Sequence, residues 1–288
     1  MKLAIIPARS GSKRISRKNI RMFAGRPLIA WSIIRAFESE LFDRVIVSTD
    51  DQSIADIALK YGAEVPFIRP AELADDYVKI RPVLRHTLRW FRENNFSVSF
   101  VCCIFPTAPF IEAEDLKLGL EKLITNNDRI ILPISKYSSP IQRALTIDKT
   151  GAIKPVWQDK IKERSQDLEP TYFDAGQFYW ATEETFLQDS DALLSEKSLG
   201  IILPNNRTQD IDTEDDFIIA EKKFLELERA KVMPKISIGT ANFAQDYGVS
   251  NTKGQIDSKE LNKIFKLMNT IGVNKIDTAP SYGTAEKI

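Results

Sequence analysis

The sequence predicts an α/β fold in which a mostly parallel sheet carries helices on both faces. Three observations carry that reading. Short apolar runs alternate with segments of helical period, the order expected of βαβ units. Several of the runs are continuously apolar, as strands buried on both faces are. The first run leads directly into a loop holding Gly11 and five basic side chains, at the carboxyl end of a strand, where open α/β sheets bind their ligands.

Each element follows from its residues. Residues 3–6 (Leu-Ala-Ile-Ile) read as a buried strand that Pro7 ends, because proline cannot donate to a ladder. Pro27 then opens a helix whose apolar positions are Leu28, Ile29, Trp31, Ile33, Ile34 and Phe37. Strand 44–48, helix 52–60, helix 80–91, central strand 97–105 and helix 116–124 follow in turn. Residues 135–171 break the rhythm. Pro140, Gly151, Pro155 and Pro170 stand there among many charges, the pattern of an insertion or arm. Regularity returns with strands at 177–181 and 199–203 and a helix from 214 to about 231, which Val232-Met233-Pro234 closes as a boundary. A strand at 235–239, an amphipathic helix at 258–271 and a strand at 273–277 form a second, incomplete unit over 235–288.

Composition bounds the chemistry. The chain has 288 residues, 43% hydrophobic and 28% charged, as in a soluble globular protein of more than one domain. Forty acidic and forty basic residues cancel, so no global field attracts nucleic acid and the basic first loop is a local feature. No apolar run reaches the roughly 18 residues of a membrane span, and the amino terminus has no signal-peptide core. A cytoplasmic protein is expected. Cys102 and Cys103 are adjacent on a predicted strand and so face opposite ways, which favours buried reduced thiols over a disulfide. His86 is the only histidine, leaving little support for Ser-His-Asp, Cys-His or multi-histidine zinc chemistry.

The first loop has the chemistry of a polyphosphate site. Backbone N–H groups over residues 10–12 can form an anion-binding concavity, and Arg9, Lys13, Arg14, Arg17 and Lys18 supply countercharge. An ordinary solvated basic loop is the alternative. Neither G-x-x-x-x-G-K-[ST] nor G-x-G-x-x-G occurs in this stretch, so P-loop and dinucleotide mechanics are not indicated. Asp210 and Asp212 stand at i and i+2 of an extended segment and point to one side, which suits a hard cation. Helix capping by Asp212 or Thr213 is the competing role there, as it is for Asp50 and Asp51.

These motifs together carry a resemblance. Ala8-Arg9-Ser10-Gly11-Ser12-Lys13, with Lys18-Asn19 after it, resembles the A-R-x-G-S-K…K-N signature of the acylneuraminate cytidylyltransferases, which make CMP-activated nonulosonic acids. Ser48-Thr49-Asp50 matches that family's S-T-D motif, Arg69-Pro70-Ala71-Glu72-Leu73 its R-P-x-x-L segment, and Pro106-Thr107-Ala108-Pro109 its P-T-S/A-P turn. Asp174-Ala175-Gly176-Gln177-Phe178-Tyr179-Trp180 resembles the D-A-G-Q-F-Y-W motif of its pseudaminic acid branch, and Asp210-Ile211-Asp212-Thr213 its D-I-D-T. The chain departs from the pattern at Val78, Lys79 and Ile80, where small and hydroxyl residues are usual, and at Phe105, where many sialic acid enzymes carry glutamine.

The resemblance implies a Rossmann-like nucleotide-diphospho-sugar transferase fold over 1–231, with 135–171 as a dimerisation arm. It implies CTP binding by Ala8, Arg9, Ser10, Gly11, Ser12, Lys13, Lys18, Asn19 and Arg69, with Asn19 facing the cytosine. Phe105, Thr107, Asp174, Gln177 and Tyr179 would meet the sugar, while Phe178 and Trp180 pack in the core. Asp210 and Asp212 would bind Mg²⁺, and Arg9, Lys18 and Asp212 would be catalytic. The implied reaction moves CMP from CTP to the C2 hydroxyl of a nonulosonic acid and releases pyrophosphate. Pseudaminic acid is the expected acceptor, with sialic or legionaminic acid as alternatives, and a homodimer is expected.

The last residues carry a second resemblance. Gly239-Thr240-Ala241-Asn242-Phe243, Asp246-Tyr247-Gly248 and Asp277-Thr278-Ala279-Pro280-Ser281-Tyr282-Gly283 resemble the opening of an aldo/keto reductase barrel. Asp277 and Tyr282 fall on two members of that family's catalytic tetrad, and its lysine and histidine would lie beyond Ile288. This segment amounts to the β-α-β start of a TIM-type barrel, which needs about 200 residues or more. An NADP-dependent reductase is therefore the alternative of another class, conditional on a complete second domain.

Overall fold

The computed structural model describes the chain except residues 13, 76, 189–192, 233–236, 247–253, 272, 274 and 288. Lys13, the boundary at Met233 and Pro234, and Tyr247-Gly248 therefore lie outside the described residues. The chain divides into two compact units, Met1–Glu221 and Lys222–Ile288.

The first unit is built on a seven-stranded sheet. Its strands are β1 (Lys2–Pro7), β2 (Arg44–Ser48), β3 (Phe100–Ile104), β4 (Ile130–Lys136), β5 (Tyr172–Asp174), β6 (Phe178–Thr182) and β7 (Ser198–Leu203). The order across the sheet is β7-β4-β6-β3-β1-β2, with β5 also paired to β4. β1 runs parallel to both β2 and β3, and β7 runs parallel to β4. β5 and β6 run the other way. β5 lies antiparallel on β4, the chain turns through Ala175 and Gly176, and β6 continues antiparallel to β3 and β4. Gly176 sits at φ +61°, where a Cβ is costly, which suits glycine to that bend.

Side-chain alternation sorts the helices onto the two faces, as period-2 strands require. Ala4, Ile6, Val45 and Cys102 face helices α1 (Leu28–Glu38), α2 (Gln52–Lys60) and α4 (Ala113–Ile124), through Ile29 and Ile33, Ile54 and Ala58, and Leu116 and Leu120. Leu3, Ile5, Ile46 and Cys103 face α3 (Ile80–Glu93) and the short α5 (Glu183–Leu187), through Leu84, Leu88, Phe91 and Phe186. Both cysteines are free, buried and on opposite faces, and burial pushes both thiols far above their ordinary pKa. Phe178 and Trp180 are fully buried, and Trp180 stacks on Phe42 with ring centroids 5.2 Å apart.

Caps set several helix starts. The Asp51 carboxylate accepts from the Ile54 amide at 3.0 Å and begins α2. Thr213 and Asp216 begin α6 (Glu214–Val232) reciprocally, since the Asp216 amide donates to Thr213 Oγ1 at 3.2 Å and the Thr213 amide to Asp216 Oδ2 at 2.8 Å. Of the two capping candidates Asp212 and Thr213, the threonine does the work. Residues 137–171 hold a small antiparallel pair, Leu145–Ile147 with Ile153–Pro155, among single helical turns.

In the second unit, Ile238–Gly239 pairs parallel with Ile276–Asp277 across α7 (Ser258–Ile271). Phe243, Leu261 and Ala285 form its small core, with Ile264, Phe265 and Tyr282 packed on it. The β-α-β order read from the sequence is thus present, with shorter strands. Among the described residues no helix is long and apolar enough to cross a membrane.

Candidate functional site

The chain leaves β1 toward β2 on one side, while β3 lies on the other, so the carboxyl ends of β1 and β3 flank a topological switch point. A cavity of about 450 Å³ opens there. Arg9, Ser12, Arg14, Lys18 and Asn19 come to it from the first loop, Arg69 from the segment after α2, and Phe105, Pro106 and Thr107 from the end of β3. Leu73, Val78, Ile80 and Val83 give it an apolar wall. Val78 and Ile80 are thus both the departures from the motif pattern and wall residues.

The first loop is braced from inside and outside. Asn19, only 8% exposed, donates Nδ2 to the Arg9 carbonyl at 2.9 Å, so its amide holds the loop's shape as well as facing the cavity. Ser10 donates its amide at 3.0 Å and its hydroxyl at 2.6 Å to Asp50. Arg69 reaches the same carboxylate at 3.3 Å, and its own amide donates to the Thr49 carbonyl at 2.8 Å. Burial alone would raise the Asp50 pKa, but the Ser10 hydrogen bonds and the Arg69 charge outweigh it and hold the carboxyl below its ordinary value. Arg69 is buried, which lowers its pKa, and its Nε has no hydrogen-bond partner. A guanidinium in that state has donor capacity left for a ligand.

Several expected residues stand elsewhere. Ala8 does not line the cavity, because its methyl group is in the core and its amide donates to the Ser48 carbonyl at 2.9 Å. Ser10 and Gly11 are not among the lining residues either; Ser10 borders a smaller cavity of about 250 Å³ with Arg17 and Asp51. Asp174, Gln177 and Tyr179 lie behind Phe105 instead of on the cavity wall. The Tyr179 ring meets Phe105 edge-on at 5.4 Å, and its hydroxyl donates to Asp174, which also accepts the Gly176 amide at 2.9 Å. Burial first, and then Asp174, push the tyrosine pKa upward. The Gln177 carbonyl accepts from the Phe105 amide at 2.9 Å, and its Nε2 donates to the Arg207 carbonyl at 2.6 Å.

Arg207 makes a connection that no motif marks out. Its guanidinium forms a two-pronged pair with Asp115 in the first turn of α4, one prong at 3.0 Å. That pair ties the segment leading to Asp210 and Asp212 to the helix that follows the Phe105 turn. The lone histidine, His86, meets Phe67 edge-on at 4.7 Å and is not in the cavity lining; burial and then Arg69 lower its pKa.

Neither Asp210 nor Asp212 is among the residues lining the cavity, but Asp212 brings its carboxylate oxygens beside the first loop. Arg14 Nη1 lies 2.7 Å from Asp212 Oδ2, and Lys18 Nζ lies 3.6 Å from Oδ1 while donating to the Ile211 carbonyl at 2.6 Å. Desolvation, and next the Asp212 charge, raise the Asp210 pKa. Two hard oxygen donors fit a magnesium ion, which takes one or two carboxylates and leaves its other positions to water and phosphate. Among the described residues no group of three or more His, Cys, Asp or Glu side chains could hold a metal.

Comparisons with known proteins identify relatives of the chain. The family model described as "Cytidylyltransferase" matches residues 3–250. The pseudaminic acid cytidylyltransferase of Campylobacter jejuni is 39% identical over 235 residues, covering 82% of this chain and 97% of its own length. The CMP-N,N'-diacetyllegionaminic acid synthase of Legionella pneumophila is 33% identical over 228 residues, 76% of this chain and 94% of its own. Among solved structures, a CMP:2-keto-3-deoxy-manno-octonic acid synthetase complexed with CTP shares the fold at a TM-score of 0.57 and 15% identity, over 79% of this chain and 98% of its own. The resemblance of the last residues to an aldo/keto reductase is not borne out, and the family match runs past the boundary expected at Val232. The chain belongs to the cytidylyltransferase family.

Proposed function

We propose that the chain transfers CMP from CTP to the C2 hydroxyl of a nonulosonic acid, pseudaminic acid before the sialic and legionaminic acids, and releases pyrophosphate. The convergence of Arg9, Ser12, Lys18, Asn19 and Arg69 with Phe105 and Thr107 on one switch-point cavity carries the reading. The 39% identity to a pseudaminic acid cytidylyltransferase supports the acceptor.

In this reading the triphosphate lies over the first loop. Arg9 and Lys18 neutralise its oxygens, and Asn19 and Arg69 meet the base and ribose side; the Ser12 and Ser10 amides are spent inside the loop, on the Ser10 carbonyl at 2.9 Å and on Asp50 at 3.0 Å. Asp210 and Asp212 would hold a magnesium ion, which when bound supplies charge neutralisation to the phosphate oxygens. Phe105 and Thr107 place the sugar so that its C2 oxygen approaches the α-phosphorus in line. The new C2–O–P bond forms as the bond to the bridging oxygen breaks; the hydroxyl proton is lost to water and pyrophosphate carries away the charge. Orientation and fixed positive charge supply most of the rate, as in other phosphoryl transfers. Asp174, Gln177 and Tyr179 act on the sugar end through Phe105, whose ring and backbone they hold.

We assign the catalytic role to residues 1–231, with 235–288 as a separate segment, and place the enzyme in the cytoplasm. A homodimer through the arm fits its exposed apolar side chains: Ile147 is 72% and Ile153 62% exposed, with Leu145 and Trp157 beside them in sequence. The test is incubation of the purified chain with CTP, Mg²⁺ and a panel of nonulosonic acids. Pyrophosphate release with one of them supports the reading, and NADPH oxidation without pyrophosphate contradicts it.

A further inference from the structure

Asp212 does not stand free in this structure. One of its oxygens is 2.7 Å from Arg14 and the other 3.6 Å from Lys18, and both cations also line the cavity. Helix capping does not explain the arrangement, since Thr213 and Asp216 cap α6 between themselves. The two cations are also held differently. The Lys18 side chain is 18% exposed and anchored to the Ile211 carbonyl at 2.6 Å, whereas the Arg14 side chain is 67% exposed, with a flexible stem. Arg14 is therefore the partner that can leave.

We propose that Arg14 is a placeholder cation: it occupies Asp212 while the site is empty and moves to the nucleotide phosphates when a divalent cation takes its place. The inference rests on the reading of Asp212 as a cation-holding residue. It gives Arg14 a role distinct from that of Arg17, which shares the loop but has no place in the cavity lining. A divalent cation alone must compete with the guanidinium for Asp212, whereas a cation arriving with a triphosphate meets a carboxylate that Arg14 has reason to leave. Metal and nucleotide thereby favour each other's binding, as linkage requires of two ligands that relieve the same contact.

Mn²⁺ alone, added to the nucleotide-free full chain and followed by electron paramagnetic resonance, tests this without turnover. Arg14→Gln should bind Mn²⁺ about fivefold more tightly than the natural chain, the factor given by the upper range of an exposed ion pair. Arg17→Gln removes an equal charge from the same loop and should leave the affinity within about twofold, which separates a specific contact from a general field. Asp212→Asn should abolish the tightening when combined with Arg14→Gln. An Arg14→Gln chain that binds no more tightly than the natural one, even where neither binds measurably, overturns the proposal, as does equal tightening in Arg17→Gln. Undiminished Mn²⁺ binding in Asp212→Asn instead overturns the underlying assignment of the carboxylate.

Discussion

Ser10 is bound to Asp50 twice, through its amide at 3.0 Å and its hydroxyl at 2.6 Å, and this contact fixes the first loop against the end of β2. The same carboxylate faces the buried Arg69 at 3.3 Å. Asp50→Ala removes three donors' partner at once and leaves Arg69 without its counter-ion. The expected cost is about 2–4 kcal/mol of stability, measured by urea unfolding. Asp50→Glu should recover part of it, and the KM for CTP should rise about tenfold in the alanine variant because the first loop and Arg69 lose the carboxylate that positions them.

The depressed pKa of Asp50 fixes a pH dependence. Its folded pKa is lower than the unfolded value of about 3.9, so the stability it contributes is full above that value and is lost as pH falls through the folded pKa. Glu64, lowered first by its hydrogen bond with Arg44, acts in the same direction. Unfolding midpoints should therefore fall as pH drops below about 4, and the fall should be shallower in Asp50→Asn.

Gly119 in α4 faces the Trp180 ring. A Cβ there would lie 2.6 Å from Trp180 Cδ1, and Trp180 is fully buried against Phe42, so the ring has nowhere to go. Alanine gains about 1 kcal/mol of helix propensity but meets overpacking of about 1–3 kcal/mol. Gly119→Ala should lower the melting temperature, by calorimetry, in spite of the better helix former.

Lys18→Ala and Asp212→Ala should each abolish CMP-sugar formation while leaving the far-ultraviolet circular dichroism unchanged. Tyr179→Phe should raise the KM for the sugar and leave that for CTP near its original value, because Tyr179 touches Asp174 and Phe105 but not the nucleotide end of the cavity.

Much of the fold is legible in the sequence because its signals are local. The apolar run at 3–6, the Pro27 helix start and the Cys102-Cys103 alternation each depend on neighbours a few positions away, and the sheet faces follow from them. Strand direction is less legible. Residues 177–181 read as a strand, but their direction is set by antiparallel pairing of β6 with β3, between residues 74 to 82 positions apart. The site shows the same division. The motif positions Arg9, Lys18, Asn19, Arg69, Phe105 and Thr107 converge on one cavity, whereas the contacts that aim them do not show in the sequence. Asp50 to Ser10 spans 40 residues, Arg207 to Asp115 spans 92 and Arg14 to Asp212 spans 198. Each joins common surface residue types that only the completed fold brings together. The Thr213-to-Asp216 cap was readable from its T-x-x-D spacing, and with it the release of Asp212 from capping.

The most direct test is phosphorus NMR of the purified chain with CTP, Mg²⁺ and pseudaminic acid. The structure predicts loss of the CTP resonances with equal appearance of pyrophosphate and a CMP diester, both absent in Lys18→Ala. CTP left unchanged with every nonulosonic acid offered, or pyrophosphate formed without a CMP-linked sugar, would contradict cytidylyl transfer at this site.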